Sequence, residues 1–214
     1  MGMNEREKQL AVLEGRTPDK IPFMPRLEIW YDAQYLAGTL PPEYQGKRLK
    51  DVQDDLGLGA SARTGRVYTK RIRGVEVVER RMGLKTQTEY ITPVGTVTTM
   101  HQRTVDLDNA GIAPLEVEHM IKTEADYGPA MYIFENMECY PAYDEFEAYD
   151  RDIGDRGLPM IQVEEVPFHF FLNDLVGYEK GYLDLMDYPD KVEALLATIE
   201  NSFREKMWPI VANS

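Results

Sequence analysis

Several features that would point to a particular class of protein are rare in this sequence or absent from it. It has one cysteine, Cys139, among 214 residues, so it can form neither an internal disulfide nor a metal site built on a cysteine pair. No stretch approaches the roughly 18 consecutive apolar residues of a membrane-spanning helix. The N-terminal stretch MGMNEREKQLAVLEG is too charged for the apolar core of a signal peptide. We therefore expect a cytoplasmic protein without a membrane partner.

Basic residues are also scarce. Asp and Glu number 37 against 24 Lys and Arg, and the formal net charge is -13. Such an acidic protein repels phosphate backbones, so we expect no nucleic-acid partner. The same charge weighs against a polyanionic small substrate unless a local arginine cluster receives it.

The first part of the chain alternates helix and strand signals. Asn4 and Glu7 form an Asn-x-x-Glu capping pattern, which predicts a helix from this point. The apolar run at residues 21–24 predicts a buried strand, because it is short and continuous. Residues 47–56 predict a short helix, and residues 58–61 predict a second short strand.

From residue 75 the hydrophobic period changes to two. Residues 75–104 alternate between apolar and polar positions, with turn signals at residues 82–83 and 92–95, and predict an antiparallel meander. Residues 158–166 (LPMIQVEEV) predict the best buried strand of the chain. Residues 187–190 (DYPD) predict a helix start, with proline in the first turn.

Together these elements predict an α/β fold with one antiparallel insertion. The sequence offers three buried strands, four at most, and residues 210–214 are typical of the approach to another strand. An open parallel sheet of that size leaves long unpaired edges. We therefore expect either a fragment or a chain that is completed by another chain.

Four motifs follow one another along nearly the whole chain. They are Asn4-Glu5-Arg6-Glu7 through Pro18-Asp19-Lys20-Ile21-Pro22, Thr92-Pro93-Val94-Gly95-Thr96, Ile121-Lys122-Thr123-Glu124-Ala125-Asp126-Tyr127, and Gly177-Tyr178-Glu179 leading to Asp187-Tyr188-Pro189-Asp190-Lys191-Val192. In this order they resemble the uroporphyrinogen decarboxylase-like superfamily, and the Thr-Pro-Val-Gly meander is similar to the branch that includes corrinoid-dependent methyltransferases. The resemblance implies a (β/α)8 TIM barrel of which residues 1–214 form the N-terminal part, with residues 75–104 as an inserted meander.

The residues that a true decarboxylase of this superfamily uses are missing. Pro25 and Ile29 stand where the family has two arginines that hold substrate carboxylates, Ala62 stands where it has its catalytic aspartate, and Asn173 stands where it has a tyrosine. Each lost charge-assisted hydrogen bond is worth roughly 1.5–3 kcal/mol. We expect no uroporphyrinogen decarboxylase activity.

In a TIM barrel the chemistry lies at the carboxyl ends of the strands. After the first strand this predicts substrate binding by Glu28, Trp30 and Tyr31, although Glu28 could instead pair with Arg26, and core packing of the two aromatic residues is an equal alternative.

After the third predicted strand the same rule predicts catalytic roles for Glu165, His169 and Asn173. Glu164 and Glu165 are adjacent, so only one can face the barrel interior. A carboxylate with His169 could bind a metal or shuttle protons, whereas His169 could instead cap a helix. His101 and His119 are interpreted as structural, and Cys139 as a buried packing thiol.

Three hypotheses for function follow. The first is a methyltransferase-type barrel that passes a methyl group between a corrinoid on a partner protein and a small acceptor. The resemblance implies zinc in some relatives, with His and Cys ligands that would lie outside this chain. The second is a decarboxylase homologue of heme biosynthesis. The third is a non-catalytic split subunit that assembles with its missing C-terminal half or with itself as a homo-oligomer.

Overall fold

The computed structural model describes residues 2–214, which fold into two compact units. The first unit contains the residues up to Val67 together with Val105–Ile112 and Ala142–Gln162. The second unit contains Tyr68–Thr104, Ala113–Pro141 and Val163–Ser214. The fold is mixed α/β with antiparallel sheets, and the strands of the described residues form no closed barrel.

The helices of the first unit begin and end where local signals place them. The capping box of Asn4 and Glu7 is confirmed, because the Asn4 side chain accepts from the Glu7 backbone N–H and the Glu7 carboxylate accepts from that of Asn4. A second helix ends at Gly38, whose φ of 67° is left-handed and favours glycine. The five helices of this unit are α1 (Glu5–Leu13), α2 (Leu27–Ala37), α3 (Leu49–Asp55), α4 (Val105–Asn109) and α6 (Tyr143–Ile153).

Three extended segments of the first unit are joined by backbone hydrogen bonds in chain order. The Gly59 N–H donates to the Phe23 carbonyl at 3.0 Å, which joins the first segment to the second. The Met160 N–H donates to the Ala62 carbonyl at 2.7 Å, which joins the second to the third. A single parallel bridge, between Gly65 and Ile161, continues this pairing.

The prediction that residues 158–166 form a central buried strand was wrong, because none of them is buried and none belongs to a regular strand. The predicted burial of residues 21–24 was also wrong, since Phe23 is 63% exposed. Pro22 and Pro159 explain part of the irregularity, since proline has no N–H to donate to a ladder. The apolar runs therefore predicted extended segments correctly here, but they predicted neither irregular pairing nor exposure to solvent.

The second unit contains the predicted meander, which is confirmed. Strands β2 (Glu76–Met82), β3 (Lys85–Thr92), β4 (Gly95–Gln102) and β5 (Leu115–Glu118) pair antiparallel in that order. Gly83 occupies the first turn with a φ of 63°. A register shift interrupts the β4–β5 pairing between Met100 and His101. A separate two-stranded sheet pairs β1 (Tyr68–Ile72) with β6 (Met137–Pro141) antiparallel.

Helices pack into the core of the second unit. They are α5 (Tyr127–Glu135), α7 (Pro167–Phe170), α8 (Tyr178–Asp187), α9 (Pro189–Ser202) and α10 (Trp208–Ala212), and wider π-type turns at Phe171–Val176 and Phe203–Met207 extend α7 and α9. The buried side chains include Phe171, Leu172, Leu195 and Ile199. Within residues 2–214, no helix has both the length and the apolarity that a membrane crossing requires.

The predicted start of a helix at residues 187–190 is confirmed by α9. The expectation that residues 210–214 approach another strand was wrong, since residues 210–212 belong to α10. Pro209 lies in the first turn of that helix, where its missing N–H costs no hydrogen bond. The Asn213 side chain then donates to the Pro209 carbonyl at 2.6 Å. These local features favour helix over the β propensity of Ile210 and Val211.

Candidate functional site

Two histidines and a carboxylate meet at the end of the meander in the second unit. Glu116 on β5 stands opposite His101 on β4, immediately beyond the register shift. His119 Nδ1 lies 3.2 Å from Glu116 Oε2, a distance that makes an ion pair when the imidazole is protonated. The two atoms are not well aligned for a hydrogen bond, so Nδ1 has no hydrogen-bond partner in the described residues. The Glu116 side chain is 17% exposed.

The surroundings of Glu116 favour the protonated form of its carboxyl group. Desolvation raises the pKa of Glu116, the positive charges of His119 and His101 oppose that rise, and Asp174 adds to it. Asp174 itself stays accessible to solvent, but partial burial followed by the charges of Glu165 and Glu164 raises the pKa of its carboxyl. Glu116 is thus a largely buried carboxyl with a raised pKa and an imidazole 3.2 Å away, and Asp174 adds a further negative charge, an arrangement suited to proton transfer.

Close backbone packing holds His119 in place. A Cβ atom built on Gly177 would lie 2.8 Å from His119 Cδ2, so only glycine fits against this imidazole. Gly177 also has a φ of 82°, which side chains rarely adopt. The Ile121 N–H donates to the Leu175 carbonyl at 2.7 Å and ties the segment after His119 to the π-type turn. His119 lines a cavity of about 350 Å³ that runs along Val176–Lys180 and Leu183, which is within the size range of ligand pockets.

Two of the three predicted catalytic residues are in contact. Asn173 Nδ2 donates to Glu165 Oε2 at 2.7 Å and fixes that carboxylate near Asp174. His169 lies exposed within α7, apart from this pair, and it does not cap the helix, because α7 has no side-chain cap. Catalytic roles for Glu165, His169 and Asn173 stay predictions.

Glu164 belongs to a neighbouring polar cluster. Its carboxylate accepts from Lys70 Nζ at 2.6 Å and from the Tyr68 hydroxyl at 3.3 Å. Burial, and then the Glu164 charge, raises the pKa of Tyr68, so its hydroxyl stays protonated. Glu164 is therefore committed to an ion pair, which leaves Glu165 as the freer of the two adjacent carboxylates.

Glu116 is the residue that the sequence interpretation missed, and His101 and His119 were interpreted as structural. The only local signal was the Glu116-x-x-His119 spacing, which places two titratable residues at the end of a strand. The partners of Glu116 come from β4 and from the turn at Phe171–Val176, which are distant in the sequence.

The predicted substrate-binding residues lie in α2 of the first unit instead of at a strand end. Glu28 accepts from the Ser61 hydroxyl at 3.2 Å and from Arg26 Nε at 3.3 Å. Trp30 packs edge-on against Tyr44, and Tyr31 is in the local core, with its hydroxyl donating to the Lys47 carbonyl. The two aromatic side chains thus make packing contacts. Substrate binding by Glu28, Trp30 and Tyr31 stays a prediction.

The residues present do not fit a zinc ion. Within residues 2–214, no three His, Cys, Asp or Glu side chains are grouped so that they could hold a metal. Cys139 is half-buried, and burial raises the pKa of its thiol, which is the opposite of what a metal-binding thiolate needs.

No family model matches this chain, and neither a curated protein nor a solved structure matches it.

Proposed function

We propose that this chain is the N-terminal part of a TIM barrel of the uroporphyrinogen decarboxylase-like superfamily, of the corrinoid-dependent methyltransferase type. Its first unit supports the barrel, because the segments around Phe23, Ala60 and Met160 hydrogen-bond in chain order and are followed or preceded by helices. Neighbouring strands of a (β/α)8 barrel follow one another in this way. The resemblance of the sequence motifs supports the particular superfamily.

The proposed reaction moves a methyl group between a corrinoid on a partner protein and a small acceptor. When a methylated amine, thioether or ether gives up its methyl group, the heteroatom that is left gains a proton. In the reverse direction, an amine, thiol or alcohol that accepts the methyl group loses a proton. The chain must therefore hold a proton near the acceptor. The observation that carries the proposal is the half-buried Glu116, whose pKa is raised beside His119.

The other residues of the site have supporting roles in this proposal. Burial is the main cause of the raised pKa of Glu116, and the charge of Asp174 adds to it. Asn173 holds Glu165, whose charge adds to the effect of burial on the pKa of Asp174. No step passes through zinc, because the residues present do not fit that metal. His169 remains a candidate for proton exchange with solvent, given its exposed position.

The test uses the purified chain with reduced free cobalamin and a panel of methylated amines, thioethers and phenyl methyl ethers. Formation of methylcobalamin, followed by its absorption spectrum, measures transfer. The Glu116→Gln variant should lose a factor of about 10² or more, which is typical of losing a general acid or base. Glu118→Gln is the matched control, because Glu118 is an exposed carboxylate on the same strand.

Two results would count against the proposal. One is the absence of methyl transfer from every member of the panel, and the other is equal rates for the Glu116 and Glu118 variants. Uroporphyrinogen serves as a separate substrate arm. No coproporphyrinogen should form above the enzyme-free control, because Pro25, Ile29, Ala62 and Asn173 replace the residues of a decarboxylase.

A further inference from the structure

The first unit contains a cavity whose charge is opposite to that of the chain. Its volume is about 470 Å³, within the range of small-molecule sites. In a chain with a net charge of -13, four cationic side chains and only two carboxylates line it. The cationic residues are Arg48, Lys50, Arg63 and Arg156, and the acidic ones are Glu28 and Asp152.

These cations differ in how far the protein already satisfies them. Arg48 is committed, because it donates to both carboxylate oxygens of Asp51 at 2.9 Å. The side chains of Arg63 and Lys50 make no hydrogen bond or ion pair within residues 2–214. Arg63 is exposed at the cavity wall, whereas Lys50 is half-buried. Two cations thus face the cavity without a partner from the protein.

Arg156 is a half-buried cation of this cavity whose charge the protein does not fully neutralise. Its side chain is 19% exposed, and within residues 2–214 its guanidinium makes one hydrogen bond, to the Asp152 carbonyl at 2.7 Å. The Asp152 carboxylate is 4.0 Å away and 68% exposed, so it neutralises the guanidinium weakly. A guanidinium withdrawn from water with one neutral acceptor favours an anion as its further partner.

The carboxylates of the cavity do not neutralise this charge. Glu28 is occupied by the Ser61 hydroxyl and by Arg26, and Asp152 points largely to solvent. The rest of the lining combines apolar side chains, among them Leu49, Tyr149 and Ile153, with the polar residues Gln53, Ser61 and Thr64. A ligand that fits this lining has one anionic group and an apolar body.

We propose that this cavity binds a small organic acid, with its carboxylate or phosphate group at Arg63 and Arg156 and its apolar body against Leu49, Tyr149 and Ile153. The basis is the lining of the first unit alone, so the inference does not depend on methyl transfer. The acidic composition weighs against an anionic ligand unless basic residues cluster locally, and this cavity contains such a cluster.

The test is calorimetric titration of the purified chain with benzoate and phenyl phosphate as probes of the two anionic groups. Benzamide is the neutral counterpart of benzoate and should bind at least about tenfold more weakly, since it cannot form charge-assisted hydrogen bonds as an acceptor. Arg63→Gln and Arg156→Gln should each weaken binding of the anions by about tenfold or more. Arg81→Gln, at an exposed position of β2 where residues 2–214 offer no charged partner, should bind like the wild type.

Arg63 is exposed, so its replacement provides a test even if the more buried Arg156 proves necessary for folding. Circular dichroism spectra would confirm that each variant is folded before titration. The proposal is overturned if neither anion binds at millimolar concentration, if benzamide binds as well as benzoate, or if Arg63→Gln binds like Arg81→Gln.

Discussion

A buried polar network in the second unit allows one prediction to be worked through from the structure. The Tyr127 hydroxyl donates to Asp184 Oδ2 at 2.8 Å, and Lys180 Nζ donates to Oδ1 at 2.7 Å. Tyr127 is 1% exposed and Asp184 is 3% exposed. Burial, and then the hydrogen bond to Asp184, raises the pKa of Tyr127, so the hydroxyl remains a donor.

Replacing Asp184 with Ala should be far more costly than removing the hydroxyl that it accepts. Asp184→Ala leaves the Tyr127 hydroxyl buried without a partner, at about 1–3 kcal/mol, and removes a hydrogen bond from the partly exposed Lys180. We expect a total loss of about 3 kcal/mol in the free energy of unfolding. Tyr127→Phe removes the buried donor along with its bond and leaves Asp184 paired with Lys180, so about 1 kcal/mol should be lost.

Urea denaturation at pH 7, followed by circular dichroism, measures these differences. Asp187→Ala is the matched control, because Asp187 is an exposed carboxylate at the end of the same helix and should change stability by less than about 0.5 kcal/mol. A loss for Asp184→Ala no larger than that of Tyr127→Phe would refute the argument that the unsatisfied hydroxyl dominates.

Three further predictions concern single positions and the whole chain. The pKa of Glu116 is raised by burial, so its contribution to stability is greatest below its unfolded pKa and is lost as the pH rises through its folded pKa. Glu116→Gln should therefore raise the melting temperature at pH 7 but not near pH 4, unlike Glu118→Gln. Gly181→Ala should lower the free energy of unfolding in urea by about 1–2 kcal/mol, because its Cβ would lie 2.5 Å from a buried leucine methyl. Gly128→Ala, where a Cβ meets open space, should instead raise the free energy of unfolding by about 0.5 kcal/mol. The isolated chain should associate in sedimentation at micromolar concentration, since large apolar side chains such as Ile21 (89% exposed) remain wet, and a well-behaved monomer would contradict this.

Features that depend on neighbours in the sequence could be predicted. The capping box at Asn4 and Glu7 needs only a spacing of three residues, and the meander needs only a period of two with a glycine at the turn, Gly83. The start of α9 at Pro189 follows from the fixed φ of proline. Each of these signals is contained within one turn of helix or one hairpin, so tertiary context has little to change.

The candidate site could not be predicted in the same way. Glu116 faces His101 because a register shift in the β4–β5 pairing sets their alignment, and the strand sequences do not determine such a shift. Asp174 contributes from a π-type turn, which has no reliable sequence signal. The contact of Asn173 with Glu165 was nearer to prediction, because both residues had been assigned to the carboxyl end of the predicted strand at residues 158–166.

The contrast between the regular meander and the irregular parallel segments has one physical origin. Strand β3 is paired along its whole length with β4 and at residues 85–91 with β2. It contains no proline, so every N–H of the strand is available to a ladder. The segments around Phe23 and Met160 each contain or adjoin prolines. One hydrogen bond joins the Phe23 segment to the segment between them, and a short run of hydrogen bonds with one parallel bridge joins that segment to the Met160 segment. Antiparallel neighbours joined by short turns complete their pairing locally, whereas parallel strands need helices on their faces and further strands at their edges to become regular. In the proposed barrel, a parallel strand with one unpaired edge would be irregular in the same way. The order of these segments along the chain is the feature that supports the proposal.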